Sequence, residues 1–466
     1  MGKRAYRILL SLTIITIIVI SVASYTQADA EEKIGEGIVV FEEQNFEQFM
    51  LKRLDKDNGP IFKKEITNIE ELFIPSHTKY EIRSLEGKQN ITNLSYLSID
   101  SNNIWDLTPL PKLAQLEILE ITRNCVVDAS PLAGLKNLKR LTIDGKYAFT
   151  KSNQITTYQI DNINFLKELK SLEYIDLGKH NISDLTPLAG LIKLKQLKLF
   201  GCKVDSLEPL TGLEDLFYLD LEENHIKDIT PLSSLDNLGF LNLDSNDIEN
   251  ILALSNLNGL VKLSLRNNKI TDTESLSNMA NLEELDIGNN NINDLSPLKK
   301  LANLTYLNIS GNPVENIQVM SNYENLERLN ALDCQIQDIS PINDLIYLEL
   351  LYMDNNNINN LEPLIFLLNL ETSKLANNNI KDIEPLKYLI KLQKLSLENN
   401  NISDITPLRN LVNLESIDLS GNNITDLSPL LRVRNLTKLY IKNNRQPLDF
   451  EIIKRLIDRG VRVEIY

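Results

Sequence analysis

From Leu172 to Leu436 a 22-residue pattern restarts thirteen times without a change of spacing. It reads Leu-x-x-Leu-x-Leu-x-x-Asn-x-Ile-x-Asp-Ile-x-Pro-Leu-x-x-Leu-x-x. The copy opening at Leu216 places Leu219, Leu221, Asn224, Ile226, Asp228, Ile229, Pro231, Leu232 and Leu235 at those letters. A unit this short cannot enclose a core by itself. Stacked copies bury one continuous core, each touching only its neighbours, and leave one long shared surface. The period therefore dictates a solenoid, and it overrides the two or three globular domains that 466 residues would otherwise suggest.

Within each unit, x-Leu-x-Leu-x alternates apolar and polar residues, the period of a half-buried strand. Units that all run the same way place these strands in one parallel sheet. An asparagine follows most of these strands, at Asn102, Asn124, Asn224, Asn246, Asn268, Asn290, Asn312, Asn356, Asn378, Asn400, Asn422 and Asn444. An inward amide has two donors and an acceptor, so it can satisfy backbone groups in the bend that no strand partner reaches. This ladder is read as structural. The proline that recurs after Asp-Ile-x fixes φ and lacks an N–H, which favours a tight or 3₁₀ turn over a long helix. Narrow turns on one wall and strands on the other predict a curved horseshoe with the parallel β-sheet on its concave face and 3₁₀ or turn segments on its convex face.

The pattern, its period and the Pro-Leu turn resemble the leucine-rich repeat family, in particular the internalin-like 22-residue class of bacterial surface proteins. The resemblance covers roughly Ile66 to Tyr466, with sixteen units opening at Leu94, Leu116, Leu138 and then every 22 residues from Leu172. It implies an α/β solenoid with a helical N-cap and a helix-strand C-cap. Residues 31–80 fit the first, where Phe46, Phe49, Met50 and Leu54 have helical spacing. Residues 446–466 fit the second, where Ile452, Ile453, Leu456 and Ile457 form an amphipathic helix stopped by Gly460. The repeats occupy residues 81–445, about 16–17 units. The class also implies a binding module used in adhesion or host interaction. Because the chain ends on its cap, no wall-sorting motif is expected.

Lys3, Arg4 and Arg7 precede an apolar run from Ile8 to about Ala23, and Ala28-Asp29-Ala30 follows. That order describes a signal peptide over residues 1–30, hence a secreted or cell-surface protein; left uncleaved, the same run would be a membrane anchor. Cys125, Cys202 and Cys334 lie at least three coils apart. At the ~4.8 Å strand spacing this is ~15 Å or more, beyond disulfide reach. A formal net charge of −16 repels phosphate backbones and argues against nucleic acid as a ligand.

The repeat breaks once. Leu138 to Leu172 spans 34 residues, and the twelve extra residues, near 145–156, include Tyr147 and Phe149. Insertions in repeat arrays map to surface loops and often carry function. The remaining variation sits at the exposed strand positions. Tyr174, Asp176, Phe200, Tyr218, Asp220, Glu222, Phe240 and Asp244 come from four consecutive units and would share the concave face. Aromatics among acids suit the centre of a protein interface, or a carbohydrate stacking on the rings. A weaker cluster is Leu332, Leu350, Tyr352 and Asp354 beside Arg328.

His180, Cys202 and Cys334 replace ladder asparagines and are read as buried structural residues. Runs such as Asp354-Asn355-Asn356-Asn357 lack the carboxylate spacing of a calcium loop and are read as turn chemistry. No metal or cofactor is expected. With no paired carboxylates, Ser/His or Cys/His pair, or Gly-rich phosphate loop, an enzyme is not expected either. The sequence points to a monomeric exported protein that binds a protein or carbohydrate ligand on its concave face. The alternative is a structural scaffold of the cell surface.

Overall fold

The computed structural model describes residues 37–41, 43–74, 82–149, 155–445 and 448–465, and its chain divides into two compact units at Leu172/Glu173. The signal segment, residues 1–30, lies outside the described residues. In the first unit β1 (Ile38–Val39) pairs antiparallel with β2 (Ile61–Phe62) around helix α1 (Gln44–Arg53). Phe46 and Met50 of α1 are fully buried, and a single helical turn, α2 (Lys63–Ile66), follows β2. Four strands then stack in parallel: β3 (Glu71–Ile74), β4 (Tyr96–Ile99), β5 (Ile118–Glu120) and β6 (Arg140–Thr142).

The sheet thus begins at Glu71, inside the segment whose spacing suggested only a helical cap. Leu72 and Ile74 are buried while Glu71 and Phe73 are exposed, so this stretch alternates as a strand does once β4 offers it an edge. The described residues at the insertion form a two-stranded pairing, with β7 (Lys146–Phe149) antiparallel to β8 (Ile155–Tyr158). Pairing satisfies backbone groups that an irregular loop would leave to water.

The second unit is a parallel stack. Its strands are β9 (Tyr174–Asp176), β10 (Gln196–Lys198), β11 (Tyr218–Asp220), β12 (Phe240–Asn242), β13 (Lys262–Ser264), β14 (Glu284–Asp286) and β15 (Tyr306–Asn308). They continue as β16 (Arg328–Asn330), β17 (Leu350–Tyr352), β18 (Thr372–Lys374), β19 (Lys394–Ser396), β20 (Ser416–Asp418), β21 (Lys438–Tyr440) and β22 (Arg462–Glu464). From β9 to β21 neighbours pair at a constant offset of one repeat, as in Tyr218↔Phe240, Leu219↔Leu241 and Asp220↔Asn242. Helix α3 (Phe450–Asp458) packs on the last turn and on β22, which extends the sheet beyond β21. Ile452, Ile453 and Leu456 face inward; Ile457 is exposed instead.

One coil shows why these letters fold this way. Leu216, Leu219, Leu221, Ile226, Ile229, Leu232 and Leu235 are all buried. On the wall opposite β11 a 3₁₀ turn runs Thr230–Ser234 with Pro231 in its first positions, where the missing N–H costs nothing. The Asp228 carboxylate accepts from the Thr230 N–H at 2.9 Å and the Thr230 hydroxyl at 2.7 Å, supplying an acceptor at the start of the turn. The same contact recurs at Asp294, Asp338, Asp404 and Asp426, which explains an aspartate letter that hydrophobic periodicity does not require.

Candidate binding surface

Residues flanking the buried strand leucines point away from the core, and in-register pairing sets them beside their counterparts one repeat on. On β11 and β12 this brings the Tyr218 and Phe240 rings face to face, with centroids 4.0 Å apart and planes 3° from parallel. Lys198 on β10 lies between two tyrosines, its Nζ 5.3 Å from the Tyr218 ring centre and 5.8 Å from that of Tyr174. Phe200 does not join this group. Its ring lies across Gly178, where a Cβ would come within 2.2 Å of it, so that glycine makes room for the ring.

The acids lie beside the aromatics and are partly desolvated. Burial raises the Asp220 pKa, and its carboxylate accepts from the Glu222 N–H at 3.2 Å. Asp244 accepts from the Ser264 hydroxyl at 2.6 Å and the Arg266 N–H at 2.7 Å; burial nevertheless pushes its pKa up to about 6. Glu222 accepts from the Asn242 amide at 3.2 Å, and the Tyr174 hydroxyl donates to Asp176 at 3.4 Å. Desolvation disfavours the ionised carboxylates, and an incoming cation would relieve that penalty. Flat rings beside such acids can stack a planar group and pair a positive one.

The second cluster is arranged differently. Tyr352 meets the Lys374 ammonium at 4.9 Å, while Arg328 leans over Tyr306 at 5.1 Å and reaches Glu284 at 3.4 Å. As at Lys198, its aromatics are matched to cations of this chain, but among the described residues no ring stacks on Tyr306 or Tyr352. Tyr147 and Phe149 fall on β7, and their side chains lie outside the described part of the pairing.

The asparagines after the strands sit inside the coils. Asn224 donates to Leu199 O at 2.9 Å and Leu221 O at 3.0 Å, and accepts from the Val204 N–H at 2.9 Å. Asn246, Asn268, Asn290, Asn312, Asn356, Asn378, Asn400, Asn422 and Asn444 repeat this set, and Asn102 and Asn124 accept from Ile82 N and Ile104 N in the first unit. Cys202 and Cys334 donate only a thiol, to Leu177 O at 3.3 Å and Ile309 O at 3.5 Å, and burial raises both to about 11. His180 is buried at its ladder position, His225 is exposed, and none of the three cysteines is in a disulfide.

The residue before each ladder position takes a left-handed backbone, for example Asn355 at φ 58° and Asn377 at φ 52°. Asparagine tolerates that conformation, which accounts for the amide runs. At Gly311 (φ 66°) a Cβ would also lie 2.1 Å from the Asn289 carboxamide oxygen, so a side chain there would force that amide to turn aside.

A second asparagine row was not singled out from the sequence. Asn237, Asn281, Asn303, Asn325, Asn369 and Asn413 each donate to a carbonyl of the preceding coil, for instance Asn237 to Glu214 O at 2.8 Å. The recurring Asn-Leu dipeptide that opens these units was the available signal. Among the described residues no group of three or more His, Cys, Asp or Glu is placed to hold a metal ion, and no helix is long and apolar enough to cross a membrane.

Against known proteins, the family described as Leucine Rich repeats (2 copies) matches residues 258–300, 280–322, 369–410 and 412–455. No curated protein matches the chain. Among solved structures, an internalin (inlF) from Listeria monocytogenes is 30% identical, with a TM-score of 0.57 over 82% of this chain and 96% of that one. A leucine-rich repeat protein from Leptospira interrogans is 20% identical, with a TM-score of 0.73 over 82% of this chain and 99% of that one. A plant peptide hormone receptor, RGFR1, in complex with RGF2, is 18% identical, with a TM-score of 0.59 over 76% of this chain and 64% of that one. The last two likenesses concern the fold.

Proposed function

Since the chain belongs to the internalin-like leucine-rich repeat family, we propose that it is an exported recognition protein that holds a protein ligand on the strand face around β9 to β13. The observation that carries this reading is the Tyr218–Phe240 stack beside half-buried carboxylates. Two stacked rings on adjacent strands are held rigid before a partner arrives, so little side-chain entropy is lost on binding. Tyrosine among such residues commonly forms the energetic centre of an interface. The acids add selectivity. Asp220, Glu222 and Asp244 favour a ligand that brings lysine or arginine to the rings. The plant receptor of the same fold, recorded with a peptide hormone, supports a peptide segment as the ligand. The segment from Met1 to Ala30 supports export, and the protein acts outside the cell as a monomer.

The test combines loss and proximity. Tyr218→Ala with Phe240→Ala should abolish capture of the partner from host or cell-surface extract while leaving thermal unfolding unchanged. A photo-crosslinker replacing Phe240 should trap that partner, and one replacing Thr230 on the turn wall should not. Undiminished capture by the double variant moves the site elsewhere. Crosslinks only to glycan would make the ligand a carbohydrate.

A further inference from the structure

We propose that the flank of the second unit from Glu327 to Glu415 is a separate docking surface for a basic amphipathic helix of another protein. Two rows run side by side there. Ile346, Leu368, Ile390 and Val412 each stand two residues before the leucine that opens a unit, and they are 49, 50, 53 and 50% exposed. Phe366 and Tyr388, at 65 and 47%, widen the row over its middle coils. One residue after the same leucines stand Glu349, Glu371, Gln393 and Glu415, and Glu327 after Leu326 extends the column by one coil. Among the described residues none of these four glutamates forms an ion pair, whereas Glu173, Glu117 and Glu168 are each paired with a lysine. A contiguous apolar strip on a soluble surface commonly marks an interaction site. A parallel strip of unmatched negative charge specifies what lies on it.

The rows are held in register by the backbone. Asn369 donates to Ile346 O at 2.8 Å and Asn413 to Ile390 O at 2.9 Å. The Glu349 N–H meets Glu327 O at 2.8 Å, and the Glu371 N–H meets Glu349 O at 2.9 Å. Coils therefore repeat at about the ~4.8 Å spacing of parallel strands. An α-helix laid along the stack advances 5.4 Å per turn, so one turn meets each coil and four coils take roughly ten residues. An extended chain repeats its side chains on one face only every ~6.6 Å and loses register sooner.

The helix that fits carries apolar residues at i, i+3 or i+4 and i+7, with lysine or arginine along one border of that stripe. Other occupants are disfavoured by charge. An anionic membrane or nucleic acid meets the glutamate column unfavourably, and a second copy of this chain brings the same column with it.

The probe is a fluorescent 16-residue helical peptide with leucines on one stripe and lysines beside it, set against the full-length protein by anisotropy at low salt. A counterpart with glutamate for lysine and a scrambled peptide of the same composition are the controls. The lysine peptide should bind, and Leu368→Ser with Ile390→Ser should weaken it at least tenfold. Glu349→Lys with Glu371→Lys should weaken it likewise and gain affinity for the glutamate peptide. Tyr218→Ala with Phe240→Ala should leave it unchanged, which separates this surface from the strand face. Equal binding of the scrambled peptide, or indifference to both flank variants, overturns the proposal. So does a concentration-dependent dimer, or binding to phosphatidylserine vesicles, that Leu368→Ser with Ile390→Ser abolishes.

Discussion

Asn246 joins two coils through one side chain. It donates to Leu221 O at 3.0 Å and Leu243 O at 3.1 Å, and accepts from the Ile226 N–H at 3.0 Å. Asn246→Leu would keep the branched shape of the side chain and orphan those backbone groups, at about 1–3 kcal/mol for a buried group left unpaired. Urea unfolding should show the loss. Cys202 is the converse case, because its thiol is a weaker partner than the amide its neighbours carry. Cys202→Asn should stabilise the protein by about 0.5–1.5 kcal/mol, the net value of a typical hydrogen bond, visible as a raised Tm. Asp244 supplies a pH signature. Its folded pKa of about 6 lies above the unfolded aspartate value, so the folded state holds the proton more tightly. Stability should therefore fall as pH rises between about 4 and about 6 and level off above. Asp244→Asn, which keeps an acceptor for Ser264 and Arg266, should remove that slope in a pH series of unfolding curves. If a cationic segment binds there, its affinity should rise with pH over the same interval.

Elements in this protein depend on their neighbours more than on their own length. Strands of three residues such as β12 persist because each is hydrogen-bonded on both sides and plugs its leucine into a shared core. Leu241 is fully buried, and Leu241→Ala should cost ~2–5 kcal/mol by calorimetry, the usual range for emptying such a site. The strand and turn assignments were legible because hydrophobic alternation and Pro-Leu positions act locally. The pairing β7–β8 was not, because twelve residues without the repeat's pattern carry no phase to read. The apolar flank escaped notice for a related reason. Leu368 stands beside the fully buried Leu367 in a leucine-rich stretch, and composition does not separate an exposed leucine from a core one.

For the second unit as a whole, nearest-neighbour stacking makes stability close to a sum over coils. Deleting residues 260–281, one full period, should leave a folded protein with somewhat lower urea stability and the Tyr218–Phe240 stack intact. Deleting residues 260–270 shifts every following leucine out of phase and should abolish cooperative folding by circular dichroism. The internalin-like family was legible from the repeat, since a fixed 22-residue period leaves few architectures. Partner choice was not, since the letters that make the repeat are those that leave the surface.

The repeat determined which side chains go inward, because the hydrophobic effect sorts residues one at a time and a period of 22 sorts every unit alike. Which surface residues meet was decided only by the fold. Tyr218 and Phe240 stack, Phe200 lies over Gly178 instead, and Leu368 lines up with Ile390 beside a glutamate column. Those relations cross from coil to coil. Strand register and the way each ring turns set them, and both arise when neighbouring coils pack.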